Sequence, residues 1–258
     1  MRDAMTQSTG VLVVGHGTRD ARGVAEFLEL VEKVRERLKP VLVEPAFLEL
    51  ARPTIAEGID TLVAQGVDHV TALPLLLFAA GHAQRDIPAA LREAANRYPT
   101  VRVEQASHLG CEPQLLALSA LRFESTLATA GIAPTDAVLL MVGRGSYEPT
   151  ANAEMWQFAR LRWEAQPSGW LELGFTAMTR PTLDEALSIC GQLPFANVIV
   201  QPHLLFQGQL VDRIGQAVAE MRARFAEKCW LTTDYLGPHP LLVEAAVARL
   251  AGPTVVVR

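Results

Sequence analysis

The sequence predicts an α/β protein made of two similar domains, each a mainly four-stranded parallel sheet flanked by helices. Three observations carry this. Short β-branched or apolar runs alternate with helical patterns of about a dozen residues, which is the signature of βαβ units. The pattern starts again near the middle of the 258-residue chain. Half of the residues are apolar and a fifth are charged, enough to fill a sizeable core in each half.

Val11 to Val14 reads as a buried strand that Gly15 ends. A helix follows from about Arg22, with Phe27, Leu30, Val31, Val34 and Leu38 at helical spacing. Val41 to Leu48 is a second strand, and Pro53 opens a helix whose apolar face is Ile55, Ile59, Leu62 and Val63. Val67 to Leu73 is a third strand leading into Pro74 to His82, and Asp86 and Pro88 begin the next helix. Val101 to Ala106 and Pro113 to Leu127 complete the half as strand and helix.

Gly131 to Thr135 reads as a linker, giving domains at 1–130 and 131–258. Beyond it, Gly143-Arg144-Gly145-Ser146 echoes Gly15-His16-Gly17-Thr18, a spacing of 128 residues from Gly15 to Gly143. The same spacing relates Arg180-Pro181-Thr182 to Arg52-Pro53-Thr54 and Pro202 to Pro74. Leu236-Gly237 follows Leu109-Gly110 with one residue fewer. Four matches in order mark an internal duplication.

The duplication exposes a candidate site. Ligands of open parallel sheets bind beyond the carboxyl ends of the strands. His16, Glu49 and His82 each follow a different predicted strand of the first half, so they should converge on one rim. Two imidazoles and a carboxylate suit a divalent transition ion and leave positions open for a substrate. The second half carries Arg144, Ala177 and, with a one-residue gap, Gln209 at these places. That pattern fits one live metal site and one retired copy. Of the other histidines, His69 and His239 read as structural, His203 as core or surface, and His108 as a weaker candidate for substrate contact.

Composition narrows the partners. A net charge of −5 argues against nucleic acid or a membrane surface. No apolar stretch approaches the roughly 18 residues of a membrane span, and the first ten residues show no apolar signal core. Three widely spaced cysteines suit the reducing cytoplasm rather than a disulfide framework. No phosphate-loop motif is present, consistent with a reaction that needs no nucleotide.

Val13 to Asp20, Ala46 to Ile55 and Leu73 to His82 together resemble the sirohydrochlorin chelatases, above all the CbiX-type cobaltochelatase branch in a two-lobed long form. The resemblance implies a chelatase-like fold and ATP-independent insertion of a divalent metal into sirohydrochlorin, in cobalamin or related tetrapyrrole synthesis. It implies that His16 and His82 hold the metal, with Glu49 as ligand or proton acceptor. Cobalt is the first choice from the resemblance alone, because iron and nickel accept the same residue types. No cofactor beyond the metal substrate is expected, and a monomer is plausible with both lobes in one chain. The carboxylates of such a substrate call for guanidinium partners, for which Arg52, Arg85 and Arg144 are candidates. A non-catalytic tetrapyrrole or metal carrier is the alternative. A histidine phosphatase fits less well, since Gly15 stands where the phosphate-binding arginine would be.

Overall fold

A computed structural model describes residues 8–78, 81 and 85–257. The chain divides into two compact units, one of residues 1–109 with 243–258 and the other of residues 110–242.

The first unit is a sheet in the order β2-β1-β3-β4-β9, with β9 being Thr254–Val256. Strands β1 (Thr9–Gly15), β2 (Leu42–Phe47), β3 (His69–Pro74) and β4 (Arg102–Ala106) are parallel. Because successive side chains of β1 point to opposite faces, Leu12 and Val14 enter one core and Val11 and Val13 face the other way. The first core is closed by Ile55, Ile59 and Leu62 of α2 (Ile55–Ala64) and by Ile87 and Leu91 of α3 (Ile87–Ala95). Helix α1 (Ala21–Leu38) buries Phe27, Leu30, Val31 and Val34, and the Phe27 ring meets Phe47 of β2 at 4.5 Å between centroids.

The second unit repeats the order with four parallel strands, β6-β5-β7-β8. They are β5 (Ala137–Gly143), β6 (Trp170–Phe175), β7 (Asn197–Pro202) and β8 (Cys229–Thr232). Val138, Leu140 and Val142 pack with α6 (Leu183–Gln192) and α7 (Gln209–Arg224), with Trp230 of β8 buried among them. On the other side of the strands stand α4 (Pro113–Ala130) and α5 (Pro149–Ala165).

The compact units and the sequence repeat do not share boundaries. Helix α4 lies in the first sequence half, at 1–130, yet it belongs to the second unit, where Gln201 Nε2 donates to the Ser119 carbonyl at 2.7 Å. Most of α8 (Pro240–Leu250) lies in the first unit. The anchoring is the same in both. Arg122 of α4 donates from Nη2 to the Leu236 carbonyl at 2.8 Å, and Arg249 of α8 donates from Nη2 to the Leu109 carbonyl at 2.5 Å. A repeat is read from order along the chain, whereas a compact unit follows the apolar face of each helix. Leu115, Leu118 and Phe123 of α4 are buried in the second unit.

One strand has no signature in the sequence pattern. Strand β9 (Thr254–Val256) pairs antiparallel with β4, and Thr254 Oγ1 donates to Glu104 Oε2 at 3.0 Å. Three residues are too few for a periodic pattern. No helix among the described residues is long and apolar enough to cross a membrane.

Candidate metal centre

The site begins with the register of two parallel strands. Gly15 of β1 pairs with Phe47 of β2, and the ladder runs past both strand ends. Leu48 N–H donates to the Gly15 carbonyl at 2.9 Å, and Glu49 N–H to the His16 carbonyl at 3.1 Å. These bonds set His16 and Glu49 side by side beyond the carboxyl ends of the sheet. Gly17 makes the approach possible. Its φ of +96° favours glycine, and a Cβ there would lie 1.7 Å from the Glu49 carbonyl oxygen.

His16 Nε2 stands 3.6 Å from Glu49 Oε1. Its Nδ1 lies 3.2 Å from the Gly17 carbonyl, and a ring that donates there turns the Nε2 lone pair towards the carboxylate. At 3.6 Å this is longer than a hydrogen bond. Two ligand bonds of about 2.1 Å meeting at a tetrahedral angle span about 3.4 Å, so one ion fits between the two atoms. Glu49 is half exposed and His16 about a quarter exposed, which leaves the pair open to an incoming substrate.

His82 lies outside the described residues. Among those described, no three His, Cys, Asp or Glu side chains come together as a metal-binding group. The other candidates fall in different places. Arg52 is turned to Glu57, with Nη1 donating to Oε1 at 2.6 Å beside the capping box of Thr54 and Glu57. Arg85 is exposed and lies over Gly81, where a Cβ would be 2.7 Å from its Nη2. Arg144 is exposed at the end of β5. His108 is half-buried past the end of β4.

The remaining histidines are structural. His69 reaches Glu104 at 3.3 Å, at the opposite end of the sheet. His239 Nδ1 accepts from Leu241 N–H at 3.2 Å at the start of α8. His203 is buried against Phe158, with ring centroids 4.2 Å apart, and burial pushes its pKa down to about 3.

The second unit reproduces the scaffold without the imidazole and the carboxylate. Ala177 N–H donates to the Arg144 carbonyl at 2.9 Å, as Glu49 N–H does to His16. A Cβ on Gly145, at φ +87°, would lie 2.0 Å from the Ala177 carbonyl. Thr182 and Glu185 form the second capping box, and Arg180 pairs with Glu185 as Arg52 does with Glu57. Both loops also hold a γ-turn that the sequence did not reveal. Ala51 N–H donates to the Glu49 carbonyl at 2.8 Å around Leu50 at φ +62°, and Thr179 N–H to the Ala177 carbonyl at 2.8 Å around Met178 at φ +65°.

The CbiX family model matches the chain twice, at residues 10–126 and 138–252. A sirohydrochlorin cobaltochelatase of Priestia megaterium is 33% identical over 90% of this chain and 76% of its own length. A sirohydrochlorin ferrochelatase of the same organism is 29% identical over 89% of this chain and 84% of its own. Among solved structures, SirB from Bacillus subtilis with Fe3+ matches with a TM-score of 0.86 and 28% identity, over 95% of each chain.

Proposed function

The chain belongs to the CbiX family, and on that premise we propose that it inserts a divalent metal, cobalt first, into sirohydrochlorin without ATP. The observation that carries the reading is the His16–Glu49 pair at the sheet rim of the first unit. Its scaffold is repeated in the second unit with Arg144 and Ala177 in place of the ligands. A residue pair needed for folding would have been needed in both loops. Cobalt rests on the 33% identical cobaltochelatase, and iron is the second reading, favoured by the 29% identical ferrochelatase.

In this mechanism His16 Nε2 and Glu49 Oε1 hold the incoming ion, with His82 proposed as a third ligand. Few bonds to the ion are an advantage, since a closed cage would trap it. Insertion forms metal–nitrogen bonds in the ring and releases two protons from its pyrrole nitrogens. As the ion leaves, Glu49 and His16 regain their lone pairs and accept those protons, which then pass to water. Arg85 and Arg144 are proposed as partners of the substrate's carboxylates. Arg52, already paired with Glu57, is the weakest of the three. No cofactor besides the metal substrate enters this scheme, and a single chain in the cytoplasm is the proposed working form. Three free cysteines suit a reducing compartment.

The test is anaerobic insertion of Co²⁺, Fe²⁺ and Ni²⁺ into sirohydrochlorin, followed by absorbance against an enzyme-free blank. Acceleration with one preferred metal, lost in His16→Ala and His82→Ala, is the expected result. Stoichiometric binding with no acceleration by any metal would replace the enzyme by a carrier.

A further inference from the structure

Leu50 and Met178 occupy positions that cost stability twice over. Each is a large apolar side chain left 50% and 43% exposed, respectively. Each sits at the centre of a γ-turn with positive φ, the rarer and strained form of that turn. Glycine would adopt the same backbone without strain, and a polar residue would suit the exposure. The two residues are equivalent in the repeat, 128 positions apart from Leu50 to Met178. They therefore share a feature that both units keep, unlike the His16–Glu49 pair, which only the first unit has.

Packing does not explain the pair, because nearly half of each side chain lies in solvent. The turn itself does not explain it either, since its hydrogen bond is made by backbone atoms alone. What remains is a ligand. Leu50 directly follows Glu49, so whatever touches it lies next to the candidate metal pair. A tetrapyrrole has a flat apolar face and carries its charge on rim carboxylates. Leucine methyls and a methionine thioether both suit such a π-face, the thioether through sulfur–aromatic contact.

We propose that Leu50 and Met178 are substrate-binding residues, each an apolar knob of its own unit that a strained γ-turn holds out for the face of a tetrapyrrole ring. The assignment rests on the chelatase reading and adds to it a means of holding the macrocycle that is independent of the metal. The first knob brings the ring beside His16 and Glu49. The second offers the same apolar contact in its own unit, where Arg144 and Ala177 stand in place of His16 and Glu49.

The experiment is titration of metal-free sirohydrochlorin, by its own absorbance and fluorescence, into wild type, Leu50→Ala, Met178→Ala and Leu50→Met. Calorimetric Co²⁺ binding and thermal melts are run on each. Each alanine variant is expected to weaken ring binding by about three- to tenfold, as loss of a few buried methyl or methylene groups would. Co²⁺ affinity should stay at the wild-type value, and Leu50→Met should keep ring binding. Leu50→Gly guards against a folding artefact: with the strain relieved it should melt no lower than Leu50→Ala and still bind the ring weakly. If the wild type accelerates insertion while both alanine variants bind the ring within twofold of it, the assignment falls and the chelatase reading stands. If the wild type binds no ring at all, the chelatase reading falls and takes the assignment with it.

Discussion

The strand-end turns between Gly15 and Glu57, on either side of α1 and β2, and those between Gly143 and Glu185, on either side of α5 and β6, are built alike and equipped differently. Both continue a parallel ladder past the strand ends, press a positive-φ glycine onto a carbonyl, make a γ-turn and close on a capping box. Only the first carries an imidazole and a carboxylate at the rim. The comparison separates residues that make the loop from residues that use it. Gly17, Thr54 and Glu57 belong to the first group because their copies survive; His16 and Glu49, which have no copy, are the proposed members of the second.

The buried layers differ as well. Where the first unit has Leu75, Leu73 and Val34, the second has His203, Gln201 and Arg162, all buried. Arg162 donates from Nη1 to the Gln166 carbonyl at 2.8 Å and lies over the Phe123 ring at 5.3 Å. Burial lowers its pKa to about 10, so it stays charged at neutral pH. The unit without the His16–Glu49 pair thus carries the more polar interior.

Mutations can break this comparison at several strengths. The largest effect is expected from His16→Ala, with insertion slowed about a hundredfold or more while the melting temperature holds. Arg144→Ala should change the rate by no more than about tenfold, through substrate affinity. A rate loss in Arg144→Ala as deep as that of His16→Ala would mean that the units are not divided as described.

Next come the two glycines. Gly17→Ala and Gly145→Ala each force a Cβ into a backbone carbonyl at positive φ and should cost about 2–4 kcal/mol in denaturant melts, alike in both units. A mild effect at either position would show that its loop can move away from the carbonyl.

His203→Leu copies Leu75 into the second unit. Buried His203 stays neutral down to about pH 3, whereas the unfolded chain protonates it below about pH 6.5. The unfolded state binds more protons in that window, so stability falls as pH drops from about 6.5 towards 3, by up to about 1.4 kcal/mol per pH unit. The leucine variant should lose this part of the acid slope in melts between pH 7 and pH 4. An unchanged slope would remove His203 from the account.

Thr54→Ala and Thr182→Ala should each cost about 1 kcal/mol by removing an N-cap, with equal effect in the two units. The smallest expected change is that of Arg52→Ala. Its ion pair with Glu57 is exposed and screened by solvent, so stability should hardly move, and activity should be unchanged if the arginine only braces the loop. A clear rise in the KM for the tetrapyrrole would return Arg52 to the substrate.

Much of this was legible in the chain itself. Strand and helix periods gave the α/β class, the constant spacing gave the duplication, and the loss of His16 and Glu49 from the copy singled out the site. These are properties of residue order, to which hydrophobic period and repeat comparison are sensitive. Order alone could not place α4 with the second unit, because a helix's apolar face does not state which sheet it will cover. It could not find β9, too short to show a period, or tell that His203, Gln201 and Arg162 share a buried layer. Nor could it see Leu50 and Met178 at positive φ, since neither residue type favours that region. The strain arises only when the parallel ladder runs past both strand ends and fixes the backbone on either side. Residue pattern determined which groups this protein could bring to a metal. Tertiary structure alone decided that His16 and Glu49 meet at 3.6 Å, because that distance depends on strand register and on one glycine with no side chain in the way.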